Sequence, residues 1–324
     1  DAEEAAGYSE DDFEFLELQN VTPVDAELLG FQLTDGVEFD FINSVVPFIP
    51  AGGRVVLVSN PAAFSMRYGT GLPVIGQFSG NLDNAGEDID LVTGTGEVMF
   101  SVNYGDSDPW PVAADGLGAT LELRDSNVAK AAQSKWYSWR SSTEMGGSPA
   151  AAGTGPLGVV INEILANPSG TDSDSIELHN TTTGPINVGG WFLSDSADDP
   201  FKYQIPAGIS IPSGGFVNFT QNQFDFGLSR DGDSVYLVRG SVAGGVTQFV
   251  DDVHFGATLL GESWGRSPDG EGRLTPLQSR TLGASNSAPR VGPLVVTEIQ
   301  YNPSLSDAVQ SAYPTVEASD LEFV

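Results

Sequence analysis

Apolar and polar residues alternate in short runs along most of this chain, and the runs are separated by Gly, Pro, Asn and Asp. A period of two is typical of strands that bury one face, and Gly, Pro, Asn and Asp are typical of the turns between them. The clearest runs are residues 13–18, 54–59, 89–92, 97–104, 216–220 and 234–238. Many short strands with frequent turns predict an all-β fold of the β-sandwich type. A helical turn is expected at residues 126–135.

The chain repeats itself over the length of a domain. Glu17-Leu18-Gln19-Asn20 recurs as Glu177-Leu178-His179-Asn180, an offset of 160 residues. Three further pairs of blocks match: 30–35 with 190–195, 49–53 with 211–215, and 82–89 with 228–235. A period of this size indicates whole tandem domains rather than the short units of a solenoid. We expect one sandwich at residues 1–152 and a second at 158–288.

The first copy differs from the second at its start. Residues 160–168 begin the second copy with Val160-Ile161-Asn162-Glu163-Ile164 and end in Asn-Pro, and a matching segment follows at 295–303. No matching segment precedes residue 13. We therefore expect the first sandwich to lack its opening strand and residues 294–324 to begin a third copy. Residues 61–77 are extra sequence in the first copy and are expected to form a loop at one end of the sandwich, either a recognition loop or a neutral elaboration.

These motifs resemble the lamin tail domain family in its bacterial extracellular form. The resemblance is carried by the opening Val-Ile-Asn-Glu-Ile strand, by residues 175–180 and 189–195, and by the turns at 205–215 and 231–233. It implies an immunoglobulin-like β-sandwich with a structural or binding role, in large secreted proteins, and no catalytic centre of its own.

An unfinished sandwich exposes an unpaired strand edge. We expect residues 294–324 of one unit to complete the first sandwich of the next by strand addition, which propagates head to tail. The neighbouring unit is either a separate chain or the next repeat of a longer one. The residues assigned to this assembly strand are Val295, Val296, Glu298, Ile299, Tyr301, Leu321 and Phe323.

The chain is strongly acidic, with 44 Asp and Glu against 13 Lys and Arg and a net charge of −31. This charge disfavours nucleic acid and anionic membrane surfaces as partners, and the apolar runs are too short to span a bilayer. Carboxylate-rich loops also raise the hypothesis of calcium binding, since Ca²⁺ prefers several oxygen ligands. The candidate ligands are Asp172, Asp174, Asp195, Asp198, Asp199, Asp231 and Asp233, with Asp251 and Asp252 beside the last pair. The alternative is a structural role for each carboxylate in its own turn.

Two other motifs have competing interpretations. Gly261-Glu262-Ser263-Trp264-Gly265 matches the G-x-S-x-G pattern, but no helix is predicted after Ser263, as a hydrolase nucleophile requires. We therefore predict that the chain is not an enzyme. Residues 136–139, Trp-Tyr-Ser-Trp, suit either packing at a seam or stacking on sugar rings.

Together these patterns favour a structural repeat protein of a prokaryotic extracellular fibre, stalk or surface layer, whose partners are copies of itself or neighbouring repeats. The alternative function is an adhesive or carbohydrate-binding module of a large secreted protein or hydrolase.

Overall fold

The computed structural model describes residues 6–107, 109–292, 294, 296–300, 303, 304 and 306–321. They divide into two compact units, Asp1–Ala288 and Pro289–Val324. The larger unit is built mainly of strands around two separate apolar cores. The predicted all-β class is confirmed.

The first half of the larger unit forms one sandwich. Its strands are β1 (Phe15–Gln19), β2 (Ala26–Glu27), β3 (Phe31–Thr34), β4 (Phe39–Asp40), β5 (Phe48–Ile49), β6 (Arg54–Val58), β7 (Val74–Gln77), β8 (Asp88–Thr93), β9 (Val98–Asn103), β10 (Leu121–Leu123) and β11 (Trp139–Ser141). One sheet has the order β1-β6-β7 and the facing sheet β4-β3-β8-β9, and β10 pairs with β11. Leu33, Phe41 and Leu57 lie in the core.

The second half forms the second sandwich. Its strands are β12 (Val159–Leu165), β13 (Ser175–Asn180), β14 (Ile186–Asn187), β15 (Phe192–Ser194), β16 (Tyr203–Gln204), β17 (Ser210–Ile211), β18 (Phe216–Thr220), β19 (Gly232–Ser241), β20 (Gly245–Gly256), β21 (Trp264–Gly265) and β22 (Thr275–Pro276). The two sheets have the orders β18-β13-β12-β21-β22 and β16-β15-β19-β20. Ile161, Leu178 and Phe219 are buried between them.

The prediction of a loop at 61–77 is wrong. This segment contains helix α1 (Pro61–Tyr68) and strand β7, which pairs in parallel with β6. Asn60 caps the helix by accepting hydrogen bonds from Ala62 and Ala63, and proline at the first helical position supplies a suitable φ. Phe64 of α1 packs on Val56 and Val58, so β6 is covered on both faces and its apolar residues are consecutive.

The two sandwiches pack against each other through a third apolar cluster. Ala113 and Ala119 of the first contact Phe192, Tyr236 and Phe249 of the second. The main chains of the two sandwiches are also hydrogen-bonded to each other. The Phe249 amide donates to the Thr143 carbonyl at 2.8 Å, and Glu144 and Gln248 form an antiparallel bridge. The segment after β11 therefore covers the outer edge of β20.

Short helices complete the chain: α2 (Lys130–Gln133), α3 (Gln221–Phe224) and α4 (Asp307–Ala312), with 3-10 turns at Glu10–Phe13, Phe41–Asn43, Val112–Ala114, Trp136–Ser138 and Ala318–Leu321. Helix α2 lies within the predicted helical turn. Among the described residues, none of the helices has the length and apolar character needed to span a bilayer.

Candidate functional site

Asn20 and Asn180 occupy the same place in the two sandwiches and are both buried. The Asn180 amide donates to the carbonyls of Gly184, Ile211 and Pro212 at 2.7–3.0 Å. The Asn20 amide donates to the carbonyls of Val24, Ile49 and Pro50 at 2.7–3.1 Å. The sequence repeat is therefore also a repeat of hydrogen bonds.

Two buried carboxylates of the second sandwich hold the segment that closes it. Glu163 of β12 accepts hydrogen bonds from the Ser263 hydroxyl at 2.5 Å and from the amide and hydroxyl of Thr281 at 2.9 and 3.0 Å. Glu177 of β13 accepts from the Gly283 amide and from the Asn162 side chain. Burial, helped by the nearby carboxylates of Glu163 and Asp269, raises the pKa of Glu177 to about 7, although the hydrogen bonds from Gly283 and Asn162 act in the opposite direction.

Glu17 is the counterpart of Glu177 and has a similar task. Its carboxylate accepts a hydrogen bond of 2.6 Å from the Ala150 amide, in the closing segment of the first sandwich, and pairs with Arg54. The recurrent glutamates are thus scaffold residues that tie each closing segment to its sheet, as their repetition in the sequence suggests.

Strand β1 has an open edge where β13 has a partner. In the second sandwich β13 lies between β18 and β12, whereas β1 pairs with β6 alone among the described strands. The burial of the two strands differs accordingly. Each residue of β13 is buried, whereas each residue of β1 is partly exposed. The position next to β1 that corresponds to β12 has no strand from residues 6–107 or 109–288.

The segment that resembles β12 is exposed at the other end of the chain. Leu294, Val296 and Ile299 expose 89%, 65% and 58% of their surface. Their counterparts at an offset of 135 residues, Val159, Ile161 and Ile164, expose 1%, 0% and 0%. Residues 294 and 296–299 have no regular secondary structure. Of the other predicted assembly residues, Glu298 is exposed, Leu321 ends the last 3-10 turn, and Val295, Tyr301 and Phe323 lie outside the described residues.

A cleft of about 130 Å³ lies where the two sandwiches meet, and we call it the interface cleft. The first sandwich contributes Trp110, Arg124, Trp136, Trp139 and Arg140, and the second contributes Asp251, Asp252, His254, Arg266 and Arg273. The guanidinium of Arg273 lies 5.6 Å from the ring centroid of Trp136, and Arg124 donates through Nε to the Trp139 carbonyl at 2.8 Å.

Both carboxylates of the interface cleft are engaged by other groups. Asp251 pairs with Arg266 at 3.0 Å and accepts from the Ile161 amide at 2.7 Å. Asp252 accepts from the Ser141 hydroxyl and the Val112 amide at 3.0 and 3.1 Å. Burial, with the Asp251 charge beside it, raises the pKa of Asp252 to about 6. Asp252 therefore joins the two sandwiches, whereas Asp251 is held within the second one, and neither carboxylate points freely into the cleft.

A comparison with known protein families finds a match within the second sandwich. Residues 152–256 match the Lamin Tail Domain family. This lamin tail domain match covers β12–β20 and supports the resemblance in the sequence, which implied the immunoglobulin-like sandwich that the structure shows. No curated protein matches the chain.

Solved structures give a much weaker likeness. The exo-chitosanase CsxA of Amycolatopsis orientalis is similar at 14% identity, with 77% of this chain and 26% of the chitosanase covered and a TM-score of 0.18. A structure of the exo-β-D-glucosaminidase CsxA with an inhibitor gives 15% identity, the same coverage and a TM-score of 0.17. The chain thus spans about a quarter of the length of these proteins, and likeness at this level defines neither fold nor activity.

The predicted calcium clusters are not assembled in the second sandwich. In the described part of the chain, no group of three or more His, Asp or Glu is arranged to hold a metal ion. The side chains of Asp172 and Asp195 pair with Arg280 and Lys202, both at 2.6 Å. Asp174 accepts from the Leu228 amide at 2.8 Å.

The remaining aspartates are separate too. Asp233 accepts from the amides of Ser229 and Ser234, and thus supports its own turn. Asp231, Asp198 and Asp199 are exposed. The calcium prediction is corrected for a physical reason: these carboxylates point to separate cations and N–H groups, whereas a calcium site needs several oxygens around one point.

Ser263 of the G-x-S-x-G pattern is buried and donates its hydroxyl to Glu163. It lies next to β21 and belongs to the hydrogen bonds that hold the closing segment to the second sandwich. The sequence motif therefore marks a structural contact. Asn162, in contrast, carried no sequence signal of its own, since its counterpart at 297 is Thr, yet it lies at a bulge in β12 and bonds to Glu177, Asp269 and Gly270.

Proposed function

We propose that this chain is a non-catalytic structural repeat unit of an extracellular fibre, stalk or surface layer. Residues 294–303 of one copy pair with the open edge of β1 in a second copy. The observation that supports this proposal most directly is the match between an open edge and an exposed strand sequence. Among the described strands, β1 lacks the neighbour that its counterpart β13 has, and Leu294, Val296 and Ile299 of the segment resembling that neighbour are mostly exposed to solvent.

The second sandwich supplies the expected register. There Ile161 lies opposite Leu178 and Glu163 lies opposite Glu177. Applying the sequence offsets of 135 and 160 residues places Val296 opposite Leu18 and Glu298 opposite Glu17. Two glutamates facing each other are tolerated in the second sandwich because each bonds to a different part of the closing segment.

Burial of the apolar donor residues would stabilise the contact. Fully burying a side chain such as Leu, Val or Ile contributes about 1.5–3 kcal/mol, and Leu294, Val296 and Ile299 are mostly exposed. Main-chain hydrogen bonds to the β1 edge would fix the orientation and register of the added strand. The cost of ordering residues 294–303 reduces the net gain.

Strand addition of this kind uses different surfaces on the two partners. A contact between unlike surfaces builds an open filament unless its rotation closes a ring. The packed joint between the two sandwiches is suited to such a role, because it fixes the orientation of successive modules through an apolar cluster and a backbone bridge. The acidic surface, with a net charge of −31, keeps the sides of such a fibre soluble.

A designed disulfide tests the register directly, since the chain contains no cysteine. Opposite residues of an antiparallel pair have Cα atoms about 4.5–5.5 Å apart, within the range that a disulfide spans. We expect Leu18→Cys with Val296→Cys to form disulfide-linked dimers and longer ladders on a non-reducing gel. The control pairs Leu18→Cys with Val242→Cys, which replaces a residue 77% exposed in the turn between β19 and β20.

The cross-linking results distinguish strand pairing between chains from strand pairing within one chain. A ladder in the test pair but not in the control supports pairing between copies in this register. A disulfide within one chain, seen as a monomer with altered mobility, overturns pairing between chains. Equal cross-linking in both pairs, or none in either, overturns the strand addition.

A further inference from the structure

We propose that the interface cleft binds a uronic acid residue of an acidic polysaccharide. This binding function is independent of the strand addition described above. It rests on three features of the cleft: cations without carboxylate partners, an aromatic wall, and a volume suited to one sugar ring.

The charge of the cleft is opposite to that of the rest of the chain. Only 13 of 324 residues are Lys or Arg, and the cleft is lined by Arg124, Arg140, Arg266 and Arg273. Arg140 and Arg266 pair with Glu122 and Asp251. In the part of the chain that the structure describes, Arg124 and Arg273 have no ion pair. Asp251 and Asp252 line the same cleft but are hydrogen-bonded to other groups, so the two arginines offer a place for an external anion.

The shape of arginine favours a carboxylate as that anion. A guanidinium carries five N–H donors, and Arg124 uses its Nε–H on the Trp139 carbonyl. The remaining N–H groups can bind the two oxygens of a carboxylate side by side, which a point charge such as lysine cannot do. Arg124 belongs to the first sandwich and Arg273 to the second, so the two arginines line the cleft from opposite sides.

Three of the five tryptophans of the chain line the same cleft. Trp136 is partly exposed and has Arg273 near its ring, so the wall offers an apolar surface next to a positive charge. A pyranose ring presents a face of C–H groups, and a uronic acid also carries a carboxylate at the edge of that ring. This ligand therefore satisfies the tryptophan and the arginines together, whereas a neutral sugar or a simple anion satisfies one of them.

The size of the cleft restricts what enters it. Its volume is about 130 Å³, roughly ten times the 10–15 Å³ that a cavity needs to hold one water molecule. One sugar residue fits this scale, and a longer chain must continue outside. At about 0.15 M salt the Debye length is about 8 Å, so the distant acidic surface is largely screened while the charges lining the cleft act at contact.

Titration calorimetry of the full chain with three probes tests each part of this proposal. Trigalacturonate carries both the ring and the charge, the neutral galactose trimer carries the ring alone, and acetate carries the charge alone. We expect trigalacturonate to bind at least about tenfold more tightly than either of the other probes, at about 0.15 M salt.

Variants then locate the binding. Arg273→Gln and Arg124→Gln should each weaken trigalacturonate binding by about tenfold, as loss of a charge-assisted contact predicts. Arg230→Gln is the matched control, because Arg230 is 72% exposed and lies outside the cleft, and it should leave binding unchanged. Circular dichroism of each variant checks that the fold is retained. The proposal is overturned if the wild type does not bind trigalacturonate, if the neutral trimer or acetate binds equally well, or if both cleft variants behave like Arg230→Gln. The cross-linking result for Leu18 and Val296 does not depend on any of these outcomes.

Discussion

Glu163 and Glu177 lie opposite each other on β12 and β13, yet their carboxylates bind different residues of one closing segment. Glu163 bonds to Thr281 and Glu177 bonds to Gly283. Both side chains are fully buried. The second sandwich is thus closed by a pair of acidic groups that would repel each other if both were fully ionised.

This arrangement makes the stability of the protein depend on pH near neutrality. The pKa of Glu177 is raised to about 7 in the folded state, from an ordinary value of 4.5. The folded protein therefore binds the proton more tightly than the unfolded chain. The resulting stabilisation is complete below about pH 4.5 and is lost as the pH rises through 7. In Glu177→Gln this contribution is absent.

We expect the free energy of unfolding of the wild type to fall relative to Glu177→Gln by about 2–3 kcal/mol between pH 4.5 and 7.5. Urea denaturation at a series of pH values measures the difference. Glu97→Gln, at an exposed position, is the control and should track the wild type. A constant difference between wild type and Glu177→Gln across this range would contradict the prediction.

Replacement of Asn180 or Asn20 by alanine should destabilise the protein by about 2–4 kcal/mol in each case. Each variant leaves three carbonyl groups without their side-chain donor, two of them where β17 or β5 ends and the turn to the next strand begins. Chemical denaturation measures the loss. Asn81→Ala removes an exposed amide that bonds to Asp11, and we expect it to change stability by less than about 0.5 kcal/mol. Equal losses of stability in all three variants would show that the buried hydrogen bonds of Asn20 and Asn180 contribute no more than the exposed bond of Asn81.

Ala113→Asp should uncouple the two sandwiches. Ala113 is fully buried against the aromatic residues of the second sandwich, so a carboxylate there would be desolvated without a partner. Scanning calorimetry should show one transition for the wild type and two for the variant. The exposed Ala131→Asp should retain one transition. A single transition in Ala113→Asp at an unchanged temperature would argue against coupling through this cluster.

Electron microscopy should show filaments of the wild type that are absent in the double variant Val296→Asp with Ile299→Asp. Both residues are mostly exposed, so the substitutions leave the larger unit intact and remove the apolar face of the proposed donor strand. Val242→Asp, another exposed apolar position, is the matched control and should still form filaments. Dispersed particles in the wild type, or filaments in the double variant, would contradict assembly through this segment.

Addition of EDTA should leave the melting temperature unchanged. The candidate aspartates that the structure describes bond to cations and amides or point singly into solvent. A fall in melting temperature that added Ca²⁺ reverses would show that a metal site exists and that its ligands come together differently.

The sequence predicts the all-β sandwich, because this fold class depends on local alternation of apolar and polar residues. Glu17 and Glu177 were interpretable as scaffold residues from their repetition alone. Helix α1 was missed, although Asn60 followed by Pro61 is a good helix start. Comparison with the second copy, which has no such segment, favoured a loop and outweighed that local signal.

The interface cleft was beyond prediction for a different reason. Its arginines, Arg124 and Arg273, are 149 residues apart in the chain, and no spacing rule joins them. They meet because Ala113, Phe249 and their neighbours pack the sandwiches together. The tryptophans at 136 and 139 gave a local signal with two interpretations, and the structure shows that they line both a seam and a cavity. The calcium hypothesis failed for the converse reason, since proximity in sequence did not bring the carboxylates to one point.

The open edge of β1 and the exposed donor residues Leu294, Val296 and Ile299 give the proposed assembly a polarity. A chain whose donor residues are disabled still accepts a strand at β1, so it can join a growing end but offers nothing to the next subunit. Such a chain acts as a terminator, and a small fraction of it mixed with wild type should shorten every filament. The same asymmetry means that the two ends of a fibre are chemically different, and that a free donor peptide would block one end and leave the other able to grow.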